Sequence, residues 1–413
     1  MITECSTGNI PPGYKQTEVG VIPEDWEVKP VGEAFEVHNH LRVPISQKER
    51  EKIAGKYPYY GPTGIQGYIN EYRIEGQYAL IGEDGDHFLK WREMPMTLMV
   101  SGKFNVNNHA HVVKGTNNLT AWFYYYFSHK DLTQHLTRQG AGRYKLTKKT
   151  LLNIQCVLPS PPEQKAITEV LSDTDAFIES LEQLIAKKRQ IKHGAMQELL
   201  TGKRRLPGFG EGKGYKQTEV GVIPKDWDVR SAGEICKVNQ GLQIAISNRL
   251  KIPSPNSKKY ITIQYLNEGK EAEYIDSYSQ AVCCNRNDVL MTRTGNTGIL
   301  ITNVDGVFHN NFFKINYDKK LITKEHLVNF LRLEQTQKQI LIKAGTSTIP
   351  DLNHSDFYSI YIVIPPLAEQ ETISAILSDM DSEITALEEK LSKARQLKQG
   401  MMQELLTGRI RLI

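Results

Sequence analysis

Several features that mark common protein classes are absent from this 413-residue sequence. Its five cysteines are an odd number without a CxxC pair, which argues against a disulfide framework or a zinc cluster. No apolar run approaches the roughly 18 residues of a membrane span. The first residues, MITECSTGNIPPGYK, lack the basic-then-apolar order of a signal peptide. We therefore expect a cytoplasmic protein without a membrane partner. The net charge of +4 permits a nucleic-acid partner but does not argue for one.

Motifs of DNA-modifying and nucleotide-using enzymes are also missing. No Asp/Asn-Pro-Pro-Tyr/Phe run exists for an adenine methyltransferase pocket, and no GxxxxGK(S/T) phosphate loop exists for a motor. The glycine-rich stretch 208–214 follows a predicted helix and precedes a loop, so we interpret it as a flexible linker. His109, His111 and His309 have no ligand partners at metal-binding spacings. The sequence predicts no catalytic site, metal or cofactor in this chain.

The sequence does contain a long internal repeat. Residues 13–28 (GYKQTEVGVIPEDWEV) and 214–229 (GYKQTEVGVIPKDWDV) agree at 14 of 16 positions. The segment MQELLTG occurs unchanged at 196–202 and 402–408. The copies of the first segment start at residues 13 and 214. This repeat length far exceeds the roughly 20–50 residues of a solenoid unit, so the chain is a duplication. Near-identical ends and different middles indicate a shared kind of partner and two different ligands.

Two long helices are predicted at 163–201 and 369–407. A double proline precedes each helix, and Gly202 and Gly408 follow where a left-handed cap favours glycine. Apolar residues in alternating steps of four and three form a heptad stripe along each helix. The stripes comprise Ile167, Leu171, Ile178, Leu181 and Ile185 in the first helix and Ile373, Leu377, Met380, Ile384, Leu387 and Leu391 in the second. We expect the stripes to pair as an antiparallel coiled coil about a pseudo-two-fold axis. The alternative is that each helix packs on its own globular half.

The two divergent middles are predicted to be strand-rich mixed domains, closed by helices at about 119–138 and 325–343. The predicted fold class is α+β, with two mixed α/β domains joined by the two long helices. The six predicted segments alternate shared and divergent sequence. Their ranges are 1–28 (shared N-terminal segment), 29–158 (first middle), 159–206 (first long helix), 207–229 (linker and repeated segment), 230–363 (second middle) and 364–413 (second long helix).

In their order and duplication, these segments resemble the specificity subunit of type I restriction-modification enzymes. The resemblance covers nearly the whole chain. It rests on the repeated GYKQTEVGVIPxDW, on ALIGEDG (79–85) and DVLMTRTG (288–295), and on the junctions LPSPPEQ and IPPLAEQ. It implies that each middle is a target-recognition domain that reads one half of an asymmetric, bipartite DNA sequence. The coiled coil would then set the spacer between the half-sites and dock two methyltransferase (modification) subunits.

The resemblance also implies the partners and the cofactors. The chain would bind double-stranded DNA and, through its complex, up to two restriction (motor-nuclease) subunits. The chain itself would be non-catalytic, with S-adenosylmethionine, ATP and Mg on the partner subunits. The complex would methylate adenine N6 and, with restriction subunits, cleave DNA at the expense of ATP. Two other classes are a DNA methyltransferase or endonuclease, which the missing motifs disfavour, and a coiled-coil adaptor with two protein-binding heads. A salt-sensitive, bipartite DNA footprint would separate a reader from an adaptor.

Polar loop residues of the two middles are the candidates for DNA contacts. Arg suits guanine, Asn and Gln suit adenine, and Lys suits phosphate, although ordinary solvated loops have the same composition. The candidates in the first middle are Tyr60, Thr63, Gln66, Lys90, Lys103, Asn105, Arg143, Tyr144 and Lys145. Those in the second are Gln240, Gln243, Arg293, Thr294, Asn296, Thr297, Ser347 and Thr348. For the acidic loop of Glu83, Asp84 and Asp86, contact with a cytosine amino group and stabilisation of a turn both stay open.

Overall fold

A computed structural model describes residues 10–138, 144–268, 272–345 and 350–412. The chain forms two compact units. The first unit comprises Met1–Glu182 and Glu389–Ile413, and the second comprises Gln183–Glu388. The division falls inside both long helices. Each unit therefore combines one middle with the first part of one long helix and the last part of the other, while the six predicted segment boundaries stay predictions.

The first unit contains fourteen strands among its described residues. These are β1 (Tyr14–Thr17), β2 (Gly20–Pro23), β3 (Glu27–Pro30), β4 (Phe35–Val37), β5 (Ala54–Tyr60), β6 (Ile65–Ile69), β7 (Ile74–Glu75), β8 (Tyr78–Gly82), β9 (Thr97–Val100), β10 (Lys103–Val106), β11 (Ala110–Gly115), β12 (Thr137–Arg138), β13 (Tyr144–Lys145) and β14 (Gln155–Leu158). Its helices are α1 (Val31–Ala34), α2 (Gln47–Lys52), α3 (Thr120–Ser128), α4 (Lys148–Asn153) and the first part of α5 (Pro161–Leu199).

The second unit repeats this plan with twelve strands in its described part. They are β15 (Tyr215–Thr218), β16 (Gly221–Pro224), β17 (Asp228–Ser231), β18 (Cys236–Gln240), β19 (Lys258–Ile261), β20 (Tyr274–Ile275), β21 (Cys283–Cys284), β22 (Val289–Thr292), β23 (Leu300–Ile301), β24 (Gly306–Phe308), β25 (Phe312–Tyr317) and β26 (Tyr361–Ile364). Its helices are α6 (Ala232–Ile235), α7 (Ile263–Glu268), α8 (Lys324–Leu331), α9 (Glu334–Ala344), α10 (His354–Tyr358) and the first part of α11 (Leu367–Leu405).

Two four-stranded sheets form the framework of each middle. In the first unit their strand orders are β4-β11-β8-β9 and β6-β5-β10-β7. In the second unit the orders are β18-β25-β22-β23 and β20-β19-β24-β21. Both units contain one parallel pair, β5 with β10 and β19 with β24, whereas the other strand pairs are antiparallel. The shared segments add a hairpin, β1-β2 or β15-β16, and a two-stranded ladder, β14-β3 or β17-β26.

The long helices begin and end two residues earlier than predicted. Pro161 and Pro162 lie in the first turn of α5, where the missing N–H groups would have no helical partner. Gly202 and Gly408 each have φ +72°, the left-handed conformation expected of a glycine cap. A Cβ atom at Gly202 would lie 2.5 Å from Cδ of Pro224, so the glycine also permits the close approach of the repeated hairpin.

The two long helices run antiparallel within each unit, as predicted. In the first unit Arg395 pairs with Glu182 and Lys398 pairs with Asp175, both at 2.5–2.6 Å. Among the predicted stripe residues, Ile167, Leu171, Leu181, Ile185, Ile373, Leu377 and Ile384 are buried, and Ile178, Met380, Leu387 and Leu391 are half-buried. Burial of this stripe supplies the hydrophobic stabilisation of the pair.

In the first unit an arginine links the shared segments through hydrogen bonds. We call this arrangement of Arg411, Glu163, Asp25 and Trp26 the first clasp. Arg411 donates to the Glu163 carboxylate at 2.6 and 2.9 Å and to Asp25 at 2.7 and 2.9 Å. The Glu163 carboxylate also accepts from Trp26 Nε1 at 2.9 Å. The charge of buried Glu163 is thereby compensated on both oxygens, as a buried carboxylate requires.

The second clasp has the same geometry in the second unit. Arg205 donates to Glu369 at 2.6 and 2.7 Å and to Asp226 at 2.9 and 3.1 Å. Trp227 Nε1 donates to Glu369 at 2.9 Å. Hydrogen bonding by Arg205 lowers the pKa of Asp226 to about 2. The clasps explain why Trp26 and Trp227, and the glutamates of the PPEQ and LAEQ junctions, occur in both halves.

The two predicted closing helices differ from the structure. The segment 119–138 is α-helical only over α3, which ends at Ser128; a separate 3-10 turn follows at Thr133–His135, where Asp131 accepts from the Thr133 N–H. The segment 325–343 is divided into α8 and α9. The Gln337 side chain donates to the Leu331 carbonyl that this break leaves without a helical partner (2.6 Å).

Four cysteines of the described residues, Cys156, Cys236, Cys283 and Cys284, are free and buried. No helix of the described part is long and apolar enough to cross a membrane. The described residues also contain no group of three or more His, Cys, Asp or Glu side chains placed to hold a metal ion.

Candidate nucleic-acid interface

Three chain segments of the first unit are joined into one surface, which we call the first platform (residues 83–85, 107–109 and 144–146). The Glu83 N–H donates to the His109 carbonyl at 2.7 Å, and the Leu146 N–H donates to the Glu83 carbonyl at 2.7 Å. The Gly85 N–H donates to the Tyr144 carbonyl at 3.0 Å. Side chains that are 60 residues apart in the sequence therefore lie side by side.

The turn of the first platform is fixed by a side chain. Asn107 Oδ1 accepts from the His109 N–H at 2.8 Å, and Asn107 Nδ2 donates to Gln66 Oε1 at 2.9 Å. The Gln66 side chain lies over Gly61, where a Cβ atom would be only 2.3 Å from its amide nitrogen. Asn107 thus both supports the turn and orients a predicted DNA-contacting amide.

The charged residues of the first platform are paired. Glu83 accepts from Arg42 at 2.5 Å and lies 3.4 Å from Lys145 Nζ. Burial acts to raise the pKa of Glu83, but the Arg42 hydrogen bond and the nearby cations outweigh it, so that this pKa is lowered. Asp84 lies beside the ring of His109, with Oδ2 2.8 Å from Nδ1. The Glu83 carboxylate is therefore held in the ionised form next to its donors.

A cleft of about 830 Å³ opens beside the first platform. Its lining is mostly polar and comes from α2, β5, β6 and neighbouring loops. The lining residues are Pro44, Ile45, Ser46, Glu49, Arg50, Tyr59, Pro62, Thr63, Gln66, Asp84, Gly85, Asp86, His87, Asn107, Asn108 and His109. The cleft brings the predicted candidates Thr63 and Gln66 next to the acidic loop.

The loop at 43–45 on one side of the cleft is held by a buried tyrosine. Tyr59 is fully buried, and its hydroxyl donates to the Val43 carbonyl at 2.7 Å and accepts from the Ile45 N–H at 2.9 Å. The Arg50 guanidinium lies 4.9 Å from the Tyr59 ring centre and donates to the Ile45 carbonyl at 2.7 Å. This arrangement stabilises the loop without requiring a ligand.

The second unit builds an equivalent surface, the second platform (residues 293–295, 309–311 and 350–352). The Arg293 N–H donates to the Asn311 carbonyl at 2.7 Å, the Leu352 N–H donates to the Arg293 carbonyl at 2.9 Å, and the Gly295 N–H donates to the Pro350 carbonyl at 3.0 Å. These three backbone bonds reproduce those of the first platform one for one.

Side-chain supports are also repeated in the second unit. His309 Nδ1 accepts from the Asn311 N–H at 3.1 Å, as Asn107 does for His109. Tyr260 is fully buried, its hydroxyl donates to the Leu242 carbonyl at 2.6 Å, and Arg249 lies 5.1 Å from its ring centre. Two sequences with few identities in their middles thus build the same backbone frame.

The charges on the two platforms are reversed. Arg293 occupies in the second platform the position that Glu83 occupies in the first. Asp351 likewise occupies the position of Lys145. Arg293 pairs with Asp351 at 2.7 Å and lies 5.2 Å from the Phe313 ring centre. Thr294, at the position of Asp84, donates to Asp351 at 2.5 Å. One backbone frame therefore presents an acidic loop in one unit and a basic loop in the other.

Most of the predicted DNA contacts lie on or near these surfaces. Tyr144 and Lys145 belong to the first platform, and Arg293 and Thr294 belong to the second. Gln243 accepts from Asn310 at 3.0 Å, and Gln240 donates to the Asn310 carbonyl at 3.3 Å. The exposed candidates are Thr63, Gln66, Lys90, Lys103, Gln243 and Asn296. Arg143, Ser347 and Thr348 lie outside the described residues.

Three candidate side chains are buried or half-buried. Asn105 is 3% exposed and donates to the Glu71 carbonyl at 2.8 Å. Thr297 is 5% exposed and donates to the carbonyls of Arg293 and Pro350 at 2.9 and 3.0 Å. Tyr60 is half-buried, with its ring at an edge-on angle to Phe104. Because Asn105 and Thr297 serve the local backbone, neither presents free donors to a ligand in this structure.

The candidate set drawn from the sequence lacks the residues that build the platforms, among them Asn107, His109 and Asn311. The supporting Arg–Tyr pairs are also missing from that set. Their spacings differ, nine residues in Arg50–Tyr59 and eleven in Arg249–Tyr260, so the two pairs share no sequence motif. His111, considered for a metal, is fully buried between Asn39 Nδ2 and the Leu146 carbonyl, each at 2.8 Å. Burial lowers the pKa of His111, which favours a neutral structural ring.

Comparison with known proteins assigns these features to a family. The family model of the type I restriction modification DNA specificity domain matches this chain twice, over residues 23–190 and 224–395. The chain belongs to that family. Each match spans one middle and its long helix, so the duplication deduced from the sequence is a duplication of specificity domains.

Two relatives of this specificity-family chain come from Methanocaldococcus jannaschii. The putative type I restriction enzyme MjaX specificity subunit is 25% identical over 97% of each chain. The type I restriction enzyme MjaVIII specificity subunit is 26% identical over 95% of this chain and 94% of its own. The crystal structure of the S subunit of a type I restriction-modification system from M. genitalium has a TM-score of 0.60, with 14% identity over 92% of this chain and 96% of that one. This last similarity concerns the fold alone.

Proposed function

We propose that this chain is the DNA-reading subunit of a type I restriction-modification complex. Each middle reads one half of an asymmetric bipartite sequence, and the helix pair sets the spacer. The observation that carries the proposal is the contrast between constant and variable parts. The clasps, hairpins and helix caps are repeated almost residue for residue, whereas the two platforms carry different side chains on one backbone frame.

The constant parts suit two copies of one partner, which we propose to be two methyltransferase subunits. Up to two restriction subunits join this assembly in the cytoplasm. Adenine N6 lies inside the duplex stack until the base is flipped out, so a separate catalyst has to be positioned by a subunit that holds the flanking bases. In this division of labour S-adenosylmethionine, ATP and Mg bind to the partners, and this chain contributes no catalytic group.

A methylation map tests the proposal. The chain and its cognate modification subunit are expressed together and separately in a host without N6-methyladenine, and the genome is mapped at base resolution. We expect a new interrupted motif, methylated once on each strand, only when both proteins are present. Methylation by this chain alone would contradict the non-catalytic role.

DNA binding by the complex separates reading from an adaptor role. We expect a footprint with two protected half-sites whose affinity falls steeply with salt, because phosphate contacts release counterions. An adaptor that binds proteins through its two heads would show neither the protected half-sites nor a preference for one sequence.

A further inference from the structure

The two platforms allow the base-reading side chains to be separated from the structural ones, once the proposed DNA reading is accepted. Where the two units share one backbone frame but carry different side chains, the different side chains are the candidates for reading different bases. The differing pairs with a polar side chain in both units are Glu83 and Arg293, Asp84 and Thr294, Asn107 and His309, His109 and Asn311, and Lys145 and Asp351.

Three of these pairs have a structural task in both units. Asn107 and His309 each accept from the N–H two residues ahead, which fixes the turn. Glu83 is compensated by Arg42 and Lys145, while Arg293 and Asp351 compensate each other. The remaining pairs place Asp84 and His109 on the first platform, and Thr294 and Asn311 on the second.

Asp84 is a hydrogen-bond acceptor at the cleft, and His109 orients it. A carboxylate only accepts, so the His109 Nδ1 atom that lies 2.8 Å from Asp84 carries the hydrogen. The side chain of His109 is 45% exposed and that of Asp84 is 24% exposed, and both line the cleft of about 830 Å³.

Only two groups in the major groove complement such an acceptor. Cytosine N4 and adenine N6 are amino groups that donate, whereas guanine O6 and N7 and thymine O4 accept. We propose that Asp84, positioned by His109, determines one position of the first half-site by accepting from the exocyclic amino group of a cytosine or an adenine. Guanine and thymine edges at that position are rejected because acceptor would face acceptor.

A substitution series in the complete complex tests this assignment. The variants are Asp84→Asn, which replaces one acceptor oxygen by a donor, and His109→Asn, which installs the residue of the second platform. Glu51→Gln is the matched control, since it removes the same charge from an exposed helix of the same unit. Each complex selects from a library of randomised duplexes, and its methylated motif is mapped in a host genome.

We expect the wild-type motif to contain a cytosine or an adenine at one position of the first half-site. Asp84→Asn and His109→Asn should lose or change the preference at that position by roughly tenfold, and the second half-site should stay the same. Glu51→Gln should leave the whole motif unchanged. Unaltered motifs in both platform variants, or a change confined to the second half-site, would overturn the assignment.

A base analogue gives a measurement that does not depend on the folding of any variant. The wild-type complex is offered its own site with the amino group removed at the assigned position, as purine for adenine or pyrimidinone for cytosine. A loss of affinity of roughly tenfold is expected, and equal binding would refute the assignment. The adenine and cytosine analogues distinguish the two bases. If the wild-type complex selects no sequence at all, the proposed DNA reading itself fails.

Discussion

The second clasp permits a quantitative test of what holds the shared segments together. Arg205→Met keeps much of the side-chain volume but removes the guanidinium from Glu369. The Glu369 side chain is fully buried and that of Arg205 is only 8% exposed. After the substitution, the carboxylate retains only the Trp227 indole N–H as a donor. Removing one partner of such a buried ion pair costs about 3–5 kcal/mol, because the other charge stays buried without compensation.

The first clasp is the matched comparison. Arg411 is 23% exposed, so water compensates Glu163 in part after Arg411→Met, and we expect a cost that is smaller by about 1 kcal/mol. Hydrogen exchange with mass spectrometry measures the two sites separately. Arg205→Met should accelerate exchange in the ladder of β17 with β26, and Arg411→Met should accelerate exchange in the ladder of β3 with β14.

The double variant Arg205→Met, Glu369→Gln tests the cause of the loss. Because it buries no uncompensated charge, we expect it to be more stable than Arg205→Met alone. A cost below about 1 kcal/mol for Arg205→Met, or no recovery in the double variant, would refute the reasoning from buried charge.

Three further predictions concern packing, pH and the proposed spacer. Leu377→Ala removes a fully buried stripe residue and should cost about 2–5 kcal/mol in denaturant unfolding, whereas Leu397→Ala, at a side chain 62% exposed, should be nearly neutral; equal costs would contradict the buried stripe. Burial lowers the pKa of His326 to about 4. The neutral ring then contributes stability that is fully present above about pH 6.5 and is lost as the pH falls toward 4, by about 3 kcal/mol. His326→Gln should flatten that pH dependence of unfolding, and an unchanged slope would assign it to other groups. Inserting one heptad after Glu182 and one after Glu388 lengthens both helices by about 10 Å and should widen the mapped DNA spacer by about three base pairs; an unchanged spacer would count against the helices as a ruler.

Local chemistry made the long helices predictable from the sequence. Heptad spacing, the double prolines and Gly202 act within a few residues, and they placed both helices to within two residues of their positions. The prediction was wrong at 119–138, where the aromatic run favours one helix but α3 ends at Ser128 and a separate 3-10 turn follows at Thr133–His135.

The platforms could not be predicted in this way, since each joins three segments through backbone hydrogen bonds between distant residues. Polar composition selected Asn105 as readily as Lys145, although β10 directs the Asn105 side chain into the core. The similarity of 78–85 to 288–295 already aligned Asp84 with Thr294 and Glu83 with Arg293. Only the backbone hydrogen bonds show that these residues lie beside 107–109 in the first unit and beside 309–311 in the second.

The composition of the first unit has a consequence for protein synthesis. Residues 183–388 are all translated between the two parts of the first unit, so the first unit lacks its segment 389–413 until the second unit has been synthesised. At roughly 5–20 residues per second, the N-terminal half waits on the order of 10–40 s. During that time Ile167 and Leu171 are without Met402 and Leu405, with which they share a hydrophobic core. The half that is made first is therefore completed last.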